Sequence, residues 1–312
     1  MSVDATHVLH EGAWRHRFVA ANGARFHVAE AGPADSAAPL VVLLHGFPLM
    51  WWCWRAQLPA LAAAGYRAAA LDLRGYGASD KPPRGYDTPT LAADVAAVVR
   101  SLGAGDAVVV GHDWGGWIAW SMPALQPTVT RAVAALSAPH PLQLERATRR
   151  SAGQLRAAGR VLRYQLPIVP ERSLTRDPGT VPALLAAGGG PGWPDSGAED
   201  REVVATYTEA MRVPFVAHSA MEYFRWVVRS TVRTDGRAYR GAVNRPVHVP
   251  VLQVHGRDDP VVLARTARGS RRWAVGPYRY EEVPGGHFLP EERPDDVTRL
   301  LLDWLKTLPP NG

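Results

Sequence analysis

The sequence predicts an α/β protein with a mostly parallel sheet, helices on both faces of that sheet, and a helical segment inserted late in the chain. Three observations support this fold class. The runs 40–44 and 107–111 are continuously apolar, which is typical of strands buried on both faces. A helical pattern lies between them, and such alternation indicates a parallel sheet. The strand signal then disappears over 141–245 and returns at 249.

The first 140 residues supply most of the expected sheet. Loose alternation over 14–20 and 25–31 around Asn22-Gly23 predicts a β-hairpin, because this dipeptide favours a tight two-residue turn. A helix over 88–102 is indicated by apolar residues at helical spacing, with Thr88 as its N-cap and Pro89 in its first turn. The remaining strands are expected at 40–44, 66–71, 107–111 and 129–136.

The rest of the chain divides into an insertion and a return to the sheet. Residues 141–245 show arginine-rich helical segments and no pattern of a buried strand. Strands are expected again at 249–254 and 278–283, and an apolar stripe over 297–308 predicts a final helix. We therefore expect a main domain in two pieces with a helical insertion between them, with boundaries at 1–140, 141–245 and 246–312.

Composition excludes several classes of protein. The chain of 312 residues is 46% hydrophobic and 21% charged, which rules out a disordered protein. The single cysteine, Cys53, excludes an internal disulfide and a multi-cysteine zinc site. No apolar run is long enough to span a membrane, and the first residues lack the basic and apolar regions of a secretion signal. These features favour a cytoplasmic protein.

The net charge of +6 does not by itself indicate nucleic-acid binding. The arginines are scattered along the chain, and no nucleic-acid-binding motif accompanies them. We therefore expect neither a nucleic acid nor a membrane as a partner. The oligomeric state is left open by the sequence.

The most informative stretch is 111–116, Gly-His-Asp-Trp-Gly-Gly, between a buried strand and an apolar helix. This spacing is typical of a nucleophile elbow, a tight strand-to-helix turn that projects one side chain above the sheet. Small residues at Gly111 and Gly115 allow the strand and the helix to approach closely. The nucleophile position holds Asp113, so the pattern predicts a carboxylate nucleophile in place of a serine.

Two later turns contain the other groups that such a nucleophile needs. Gly-Arg-Asp-Asp-Pro at 256–260 follows one strand, and Gly-Gly-His-Phe at 285–288 follows the next. Nucleophile, acid and histidine then occur in the chain order of a hydrolase triad, with Asp258 or Asp259 as the acid and His287 as the base. The loop His-Gly-Phe-Pro at 45–48 follows an earlier strand. Its Phe47 N–H and the Trp114 N–H are candidates for an oxyanion hole.

These motifs, with Asp-Leu-Arg-Gly-Tyr-Gly-Ala-Ser-Asp at 72–80, resemble those of the α/β-hydrolase superfamily and, within it, the epoxide hydrolases. The resemblance spans both pieces of the main domain. It implies the α/β-hydrolase fold, a helical lid at 141–245, and Asp259 as the triad acid. The implied reaction opens an epoxide to a vicinal diol through an alkyl ester on Asp113, which water activated by His287 and Asp259 then hydrolyses.

The resemblance also implies two lid tyrosines that hydrogen-bond the epoxide oxygen. Arg160 and Phe224 occupy their usual places in this sequence. The nearest tyrosines, Tyr164 and Tyr223, are therefore predicted to be the proton donors. His45, Trp117 and Phe224 are predicted to contact the substrate. The expected partners are a small-molecule epoxide and water, with no organic cofactor and no metal.

Two other readings stay open. Haloalkane and haloacetate dehalogenases share the aspartate nucleophile. Haloalkane dehalogenases usually have a tryptophan beside the nucleophile, as this chain does at Trp114. Haloacetate dehalogenases usually have an arginine at that position. A non-catalytic ligand receptor on the same fold is the third possibility, which the complete set of triad residues disfavours.

Overall fold

The computed structural model describes residues 4–35, 37–195 and 197–309. A single sheet of eight strands has the order β1-β2-β4-β3-β5-β6-β7-β8. The pairs β1–β2 and β2–β4 are antiparallel, and the other five pairs are parallel. The strands are β1 (Arg15–Ala21), β2 (Ala24–Ala31), β3 (Leu40–Leu44), β4 (Arg67–Leu71), β5 (Ala107–His112), β6 (Thr130–Leu136), β7 (Val251–Gly256) and β8 (Tyr278–Val283).

Two groups of helices pack beside the sheet. Helices α2 and α3 contact each other and the strands, and α1 contacts α14 as well as β2 and β4. The helices of the first piece are α1 (Gln57–Ala63), α2 (Thr88–Ser101) and α3 (Trp114–Leu125). Between β6 and β7 lie α4 (Pro141–Arg150), α5 (Ala152–Ala158), α6 (Arg160–Arg163), α7 (Val169–Arg176), α8 (Thr180–Gly188), α9 (Ala198–Ala210), α10 (Val216–Ser230) and α11 (Thr234–Val243). The chain continues with α12 (Ala264–Arg268), α13 (Leu289–Glu292) and α14 (Pro294–Leu305).

The predicted α/β class with its mostly parallel sheet is confirmed. Every residue of β3, β5 and β7 is buried, as their continuous apolar sequences indicate. The hairpin is also present, with Ala21 paired to Ala24 across a turn in which Asn22 and Gly23 both have positive φ. A parallel sheet brings the carboxyl ends of β3, β5, β7 and β8 to one edge, where the candidate functional residues follow the strands.

Helix α2 corrects one detail of the sequence prediction. Its N-cap is Asp87, whose side chain accepts a hydrogen bond from Thr90 N, and Thr88 is the first helical residue. The Thr88 hydroxyl instead accepts a hydrogen bond from Trp117 Nε1 at 2.9 Å. A carboxylate one residue upstream takes over the capping role and leaves Thr88 to position a cavity-lining side chain.

Helices α4–α11 are fixed to the sheet-bearing part by buried polar contacts. The Tyr223 hydroxyl donates to the carbonyl of Arg74 at 2.7 Å, and the Tyr207 hydroxyl donates to the Glu291 carboxylate. Glu291 also forms an ion pair with Arg55, with 2.8 Å between Nη1 and Oε1. These contacts fix the orientation of the helices over the edge of the sheet. Among the described helices, none has the length and apolar character needed to cross a bilayer.

Candidate active site

Asp113 lies in the turn between β5 and α3 and has a strained backbone, with φ 50° and ψ −112°. A positive φ is uncommon outside glycine and marks a turn that the surrounding structure holds in place. The close approach of strand and helix requires glycine on both sides of it. A Cβ at Gly111 would lie 2.1 Å from the carbonyl oxygen of Gly115, and one at Gly115 would lie 2.1 Å from that of Leu44. This geometry lifts the Asp113 carboxylate above the edge of the sheet.

Asp259 and His287 meet this carboxylate from the turns after β7 and β8. Asp259 Oδ2 lies 2.8 Å from His287 Nδ1, and His287 Nε2 lies 3.5 Å from Asp113 Oδ1. The other oxygen of Asp259 accepts hydrogen bonds from the N–H groups of Val261 and Val262. The neighbouring candidate, Asp258, is exposed. The structure therefore brings the predicted acid, base and nucleophile together, with Asp259 as the acid.

The electrostatics of the three groups are coupled. Burial favours a neutral imidazole at His287, but the carboxylates of Asp259 and Asp113 outweigh burial and raise the pKa of His287 to about 10. Burial alone would raise the pKa of Asp113, yet His287 and the Phe47 N–H hold that pKa below its ordinary value. At neutral pH Asp113 is thus an ionised carboxylate beside a charged imidazolium.

The backbone of His287 is held by groups outside the triad. His112 Nε2 lies 2.7 Å from the carbonyl oxygen of His287 and donates to it, and burial lowers the pKa of His112 to about 4, so its ring is neutral at pH 7. The N–H of His287 donates to the carbonyl of Gly188 at the end of α8. The Glu292 carboxylate accepts from the N–H groups of Gly190 and Gly286, which ties the same loop to the segment after α8.

The loop after β3 supplies a hydrogen-bond donor to the nucleophile. Phe47 N–H donates to Asp113 Oδ2 at 2.9 Å, as expected for an oxyanion-hole group. Gly46 is required beside it, because a Cβ there would lie 2.4 Å from Asp113 Cβ. Trp114 N–H makes no hydrogen bond to the Asp113 carboxylate in the described structure, so its oxyanion-hole role stays a prediction.

His45 does not lie where the sequence prediction placed it. Its ring is fully buried and does not line the cavity beside Asp113. His45 Nε2 accepts from Leu73 N–H, so Nδ1 carries the proton and donates to the carbonyl of Gly46 at 2.9 Å. We correct the prediction that His45 contacts substrate: the side chain orders the loop that carries Phe47.

A cavity of about 180 Å³ lies beside Asp113, between the sheet edge and the inserted helices. Its walls are mostly apolar and include the predicted contacts Trp117 and Phe224. Two residues that line the cavity have a buried polar atom without a hydrogen-bond partner among the described residues: Trp114 at Nε1 and Ser137 at Oγ. Because an unpaired buried polar atom costs free energy, each of these two atoms would gain from a hydrogen-bond partner.

The two predicted proton donors have different positions. Tyr164 lines the cavity and packs its ring against Phe47 and Phe224, with centroids 5.8 Å and 4.7 Å away. Tyr223 is buried outside the cavity, and its hydroxyl donates to the carbonyl of Arg74. We therefore correct the prediction for Tyr223, because its proton is committed to a structural hydrogen bond. Arg160, which replaces the usual tyrosine, also lines the cavity.

Sequence reasoning missed two residues of this site. Ser137 follows β6 directly, has a φ of 52°, and is one of the residues that line the cavity. Its position at the carboxyl end of a parallel strand was the available signal, since functional residues cluster there in such sheets. The sequence places His112 only within the nucleophile motif. Its contact with His287 joins residues 175 positions apart, so no local sequence pattern predicts it.

Within the described ranges, no group of three or more His, Cys, Asp or Glu side chains is arranged to hold a metal ion.

Comparison with known families agrees with the fold. The model of a family described as alpha/beta hydrolase fold matches residues 39–294. The fold and the strand-to-helix turn at Asp113 thus define an α/β hydrolase.

Similar proteins identify the family within the α/β hydrolases. The chain is 34% identical to Epoxide hydrolase A of Mycobacterium tuberculosis, over 95% of this chain and 99% of that protein. It is similar to the crystal structure of Epoxide Hydrolase A from Mycobacterium thermoresistibile, with a TM-score of 0.80, 30% identity and coverage of 96% and 100%. An epoxide hydrolase from an endophytic Streptomyces gives a TM-score of 0.80 at 32% identity, covering 96% and 97%. The chain belongs to the epoxide hydrolase family of the α/β hydrolases.

Proposed function

We propose that this hydrolase opens a small-molecule epoxide to a vicinal diol in two steps, with Asp113 as the nucleophile. The observation that carries the proposal is the ionised Asp113 carboxylate in an apolar cavity, 3.5 Å from His287 Nε2. A carboxylate gains little by attacking an ester carbonyl, because the resulting anhydride is more reactive than the substrate. It is suited to displacement at saturated carbon, and a strained epoxide is such an electrophile.

In the first step, an oxygen of Asp113 forms a bond to one epoxide carbon while the ring C–O bond breaks. The electron pair goes to the epoxide oxygen, which takes the phenolic proton of Tyr164. Asp113 Oδ1 is the better-placed attacking atom, since Oδ2 is held by Phe47 N–H. The free indole N–H of Trp114 and the Ser137 hydroxyl can hydrogen-bond the same oxygen. The product of this step is an alkyl ester on Asp113.

In the second step, His287 removes a proton from water, and the hydroxide attacks the carboxyl carbon of Asp113. Phe47 N–H already faces the oxygen that becomes the tetrahedral anion, and Trp114 N–H is its proposed partner. Collapse of this intermediate breaks the ester C–O bond, and the imidazolium returns the proton to the leaving diol. The proton that His287 loses after alkylation restores the Tyr164 phenol, and the carboxylic acid formed at Asp113 gives its proton back to the imidazole, so one epoxide and one water give one diol and the free enzyme is regenerated.

The charge on Asp113 determines when His287 can act as a base. In the free enzyme the two carboxylates keep His287 protonated, with a pKa of about 10, so it cannot accept a proton at pH 7. Alkylation neutralises Asp113 and removes one of those carboxylates, which lowers the pKa of His287. The imidazole therefore becomes a base only after the ester has formed.

An oxygen-18 experiment tests the covalent route. In a single turnover in oxygen-18 water, the first diol should carry unlabelled oxygen that came from Asp113, and the label should enter the carboxylate. Mass spectrometry of the diol and of the peptide containing Asp113 measures both. Immediate appearance of label in the diol, with none in the peptide, contradicts the proposal.

The pH dependence of the two steps should differ. Ring opening should keep its rate from pH 9 to pH 6, because the lowered pKa of Asp113 keeps it ionised throughout. Ester hydrolysis should slow as pH falls through the reduced pKa of His287 in the alkylated enzyme. Rapid-quench measurement of ester and diol separates the two rates. As an independent check, NMR should show the His287 ring titrating at a lower pH in Asp113→Asn than in the wild type. If the His287 ring titrates at the same pH in Asp113→Asn and in the wild type, the charge on Asp113 does not control when His287 becomes a base.

Replacement of Tyr164 should slow the first step. Tyr164→Phe removes the phenolic proton from the cavity and should lower the ring-opening rate by about 100-fold, which is the lower end for general acid catalysis. Burial raises the pKa of Tyr164, which keeps it protonated at neutral pH, while Arg160 and Arg163 oppose this shift. Tyr223→Phe is the matched control, since its hydroxyl serves Arg74; it should leave the ring-opening rate unchanged. Equal loss in both variants, or none in either, overturns the assignment.

We also propose that residues 141–245 act as the lid of this site. The support is that Tyr164, Phe224 and Val227 from this segment line the cavity opposite the sheet edge. The cytoplasm remains the expected compartment.

One observation favours a second candidate function. The unpaired Trp114 Nε1 beside Asp113 could hydrogen-bond a departing halide, as a haloalkane dehalogenase requires. Phe47 offers no side-chain donor as its partner, which favours the epoxide. Parallel assays of halide release from a bromoalkane and of diol formation from an epoxide distinguish the two functions.

A further inference from the structure

Helices α5 and α6 form part of the cavity wall and are exposed to solvent on their other side. Ala157, Ala158, Val161 and Tyr164 line the cavity beside Asp113. The outward side chains of 155–176 form a surface that we call the outer strip. Its exposed members are Leu155, Leu162, Leu166, Ile168 and Val169, together with Arg156, Arg163, Arg172 and Arg176.

The apolar part of the outer strip is unusually exposed. Of the nine large hydrophobic residues that are exposed in the described part of the chain, five lie between 155 and 169. Leu162 is 70% exposed and Ile168 is 58% exposed. Ile168 also has a φ of 69°, a strained conformation for a β-branched residue. Clustered exposure of this kind marks an interaction surface more often than chance scatter does.

The surface extends to the start of α10. Helix α10 packs against α7, and His218 Nδ1 lies 3.7 Å from Glu171 Oε1. Phe215, three residues before His218, is 73% exposed. A sixth large apolar side chain therefore lies near the N-terminal end of the α7–α10 contact.

The exposed charged residues of the outer strip are all positive. Its four arginines make no ion pair with any residue that the structure describes. The only acid between 155 and 176 is Glu171, and that carboxylate pairs with the buried guanidinium of Arg225 at 2.7 Å. The outer strip therefore combines exposed apolar side chains with four arginines that have no ion pair in the described structure, and the next acid along the chain is Asp177.

We propose that the outer strip docks on the surface of an anionic phospholipid bilayer. Such a surface takes apolar side chains into its acyl boundary and attracts arginine to its headgroups. A second copy of the same strip would place like charges opposite each other, which opposes self-association. The sequence expectation that no membrane takes part rested on the lack of a spanning segment, and surface docking needs none.

Vesicle sedimentation with the full chain tests this proposal. The protein should sediment with vesicles of phosphatidylcholine and 30% phosphatidylglycerol, and not with phosphatidylcholine alone, and salt should weaken the binding. Arg156→Gln with Arg163→Gln should weaken binding about 25-fold, at about fivefold for each arginine near an anionic surface. The charge-matched control is Arg84→Gln with Arg100→Gln, two exposed arginines in the main domain. It should have a much smaller effect.

The apolar contribution is tested in the same way. Leu162→Ser with Ile168→Ser should weaken binding at least tenfold, as expected when apolar area no longer enters the bilayer. Phe18→Ser with Val275→Ser, at exposed positions outside the strip, is the matched control and should bind as the wild type does. Circular dichroism confirms that each variant is folded.

Three results would overturn the proposal. The first is binding that does not depend on phosphatidylglycerol, and the second is equal loss in strip and control variants. The third is a dimer in sedimentation equilibrium that Leu162→Ser with Ile168→Ser dissociates, which would assign the strip to a second copy of the chain. Because the readout is binding and not turnover, failure of this proposal leaves the proposed epoxide hydrolysis unaffected.

Discussion

Replacement of His287 by glutamine should stop turnover after the first step and trap an alkyl ester on Asp113. The substitution removes the base that activates water but keeps a side chain of similar size in the cavity wall. Turnover should fall by about 10³-fold or more, in the range of general-base loss. Intact-protein mass spectrometry should show an increase equal to the mass of the epoxide, and peptide mapping should place it on Asp113.

Two comparisons make this test specific. Asp113→Ala should show neither turnover nor the mass increase, since it lacks the carboxylate that forms the ester. His287→Gln with Asp113→Ala should behave like Asp113→Ala alone. If His287→Gln loses turnover without an added mass under excess epoxide, His287 acts in ring opening, and the division of labour proposed between the two steps is wrong.

Replacement of Gly115 by alanine should strongly destabilise the fold. The new Cβ would lie 2.1 Å from the carbonyl oxygen and 2.5 Å from the carbonyl carbon of Leu44, in the middle of the sheet. Overpacking a core usually costs about 1–3 kcal/mol, and a backbone obstacle relaxes less than a side chain does. We expect a loss of at least about 3 kcal/mol in the free energy of unfolding, measured by equilibrium denaturation in urea.

The matched control for Gly115→Ala is Gly105→Ala. A Cβ at Gly105 meets nothing within 4 Å, so this variant should unfold at the wild-type urea concentration. If Gly115→Ala keeps wild-type stability, then α3 and β3 can separate without cost. The backbone of the Asp113 turn would in that case not be held by the packing described above.

The fold and the order of the site residues could be predicted from the sequence because both depend on short local patterns. Asp113 and Asp259 follow the buried, largely apolar strands β5 and β7, whereas His287 follows β8, which contains Arg279, Glu281 and Glu282 and is mostly half-buried. The carboxyl ends of parallel strands lie at one edge of a sheet. Three residues that each follow such a strand are therefore predicted to lie close together. Their contacts in the structure agree with that expectation, while their catalytic roles remain predictions for the experiments above.

The residues that sequence reasoning misplaced depend on contacts between distant segments. Tyr223 lies next to the position where the family has its second tyrosine, but it is buried on α10 and its hydroxyl reaches Arg74, 149 residues earlier in the chain. His45 follows a site strand, yet its ring is held by the N–H of Leu73. Neither partner could be inferred from spacing, because a helix rotated by one residue would have presented Phe224 or Arg225 in place of Tyr223.

The loop that carries His287 is joined to the inserted helices through Gly188 and through the Glu292 carboxylate, which accepts from Gly190 and Gly286. This connection has a consequence for recombination between relatives. A chimera that takes the segment 141–245 from one protein and 285–292 from another would mismatch both ends of these hydrogen bonds and misplace the imidazole. The two segments should therefore be exchanged as a pair, even though about forty residues of sheet-forming chain separate them.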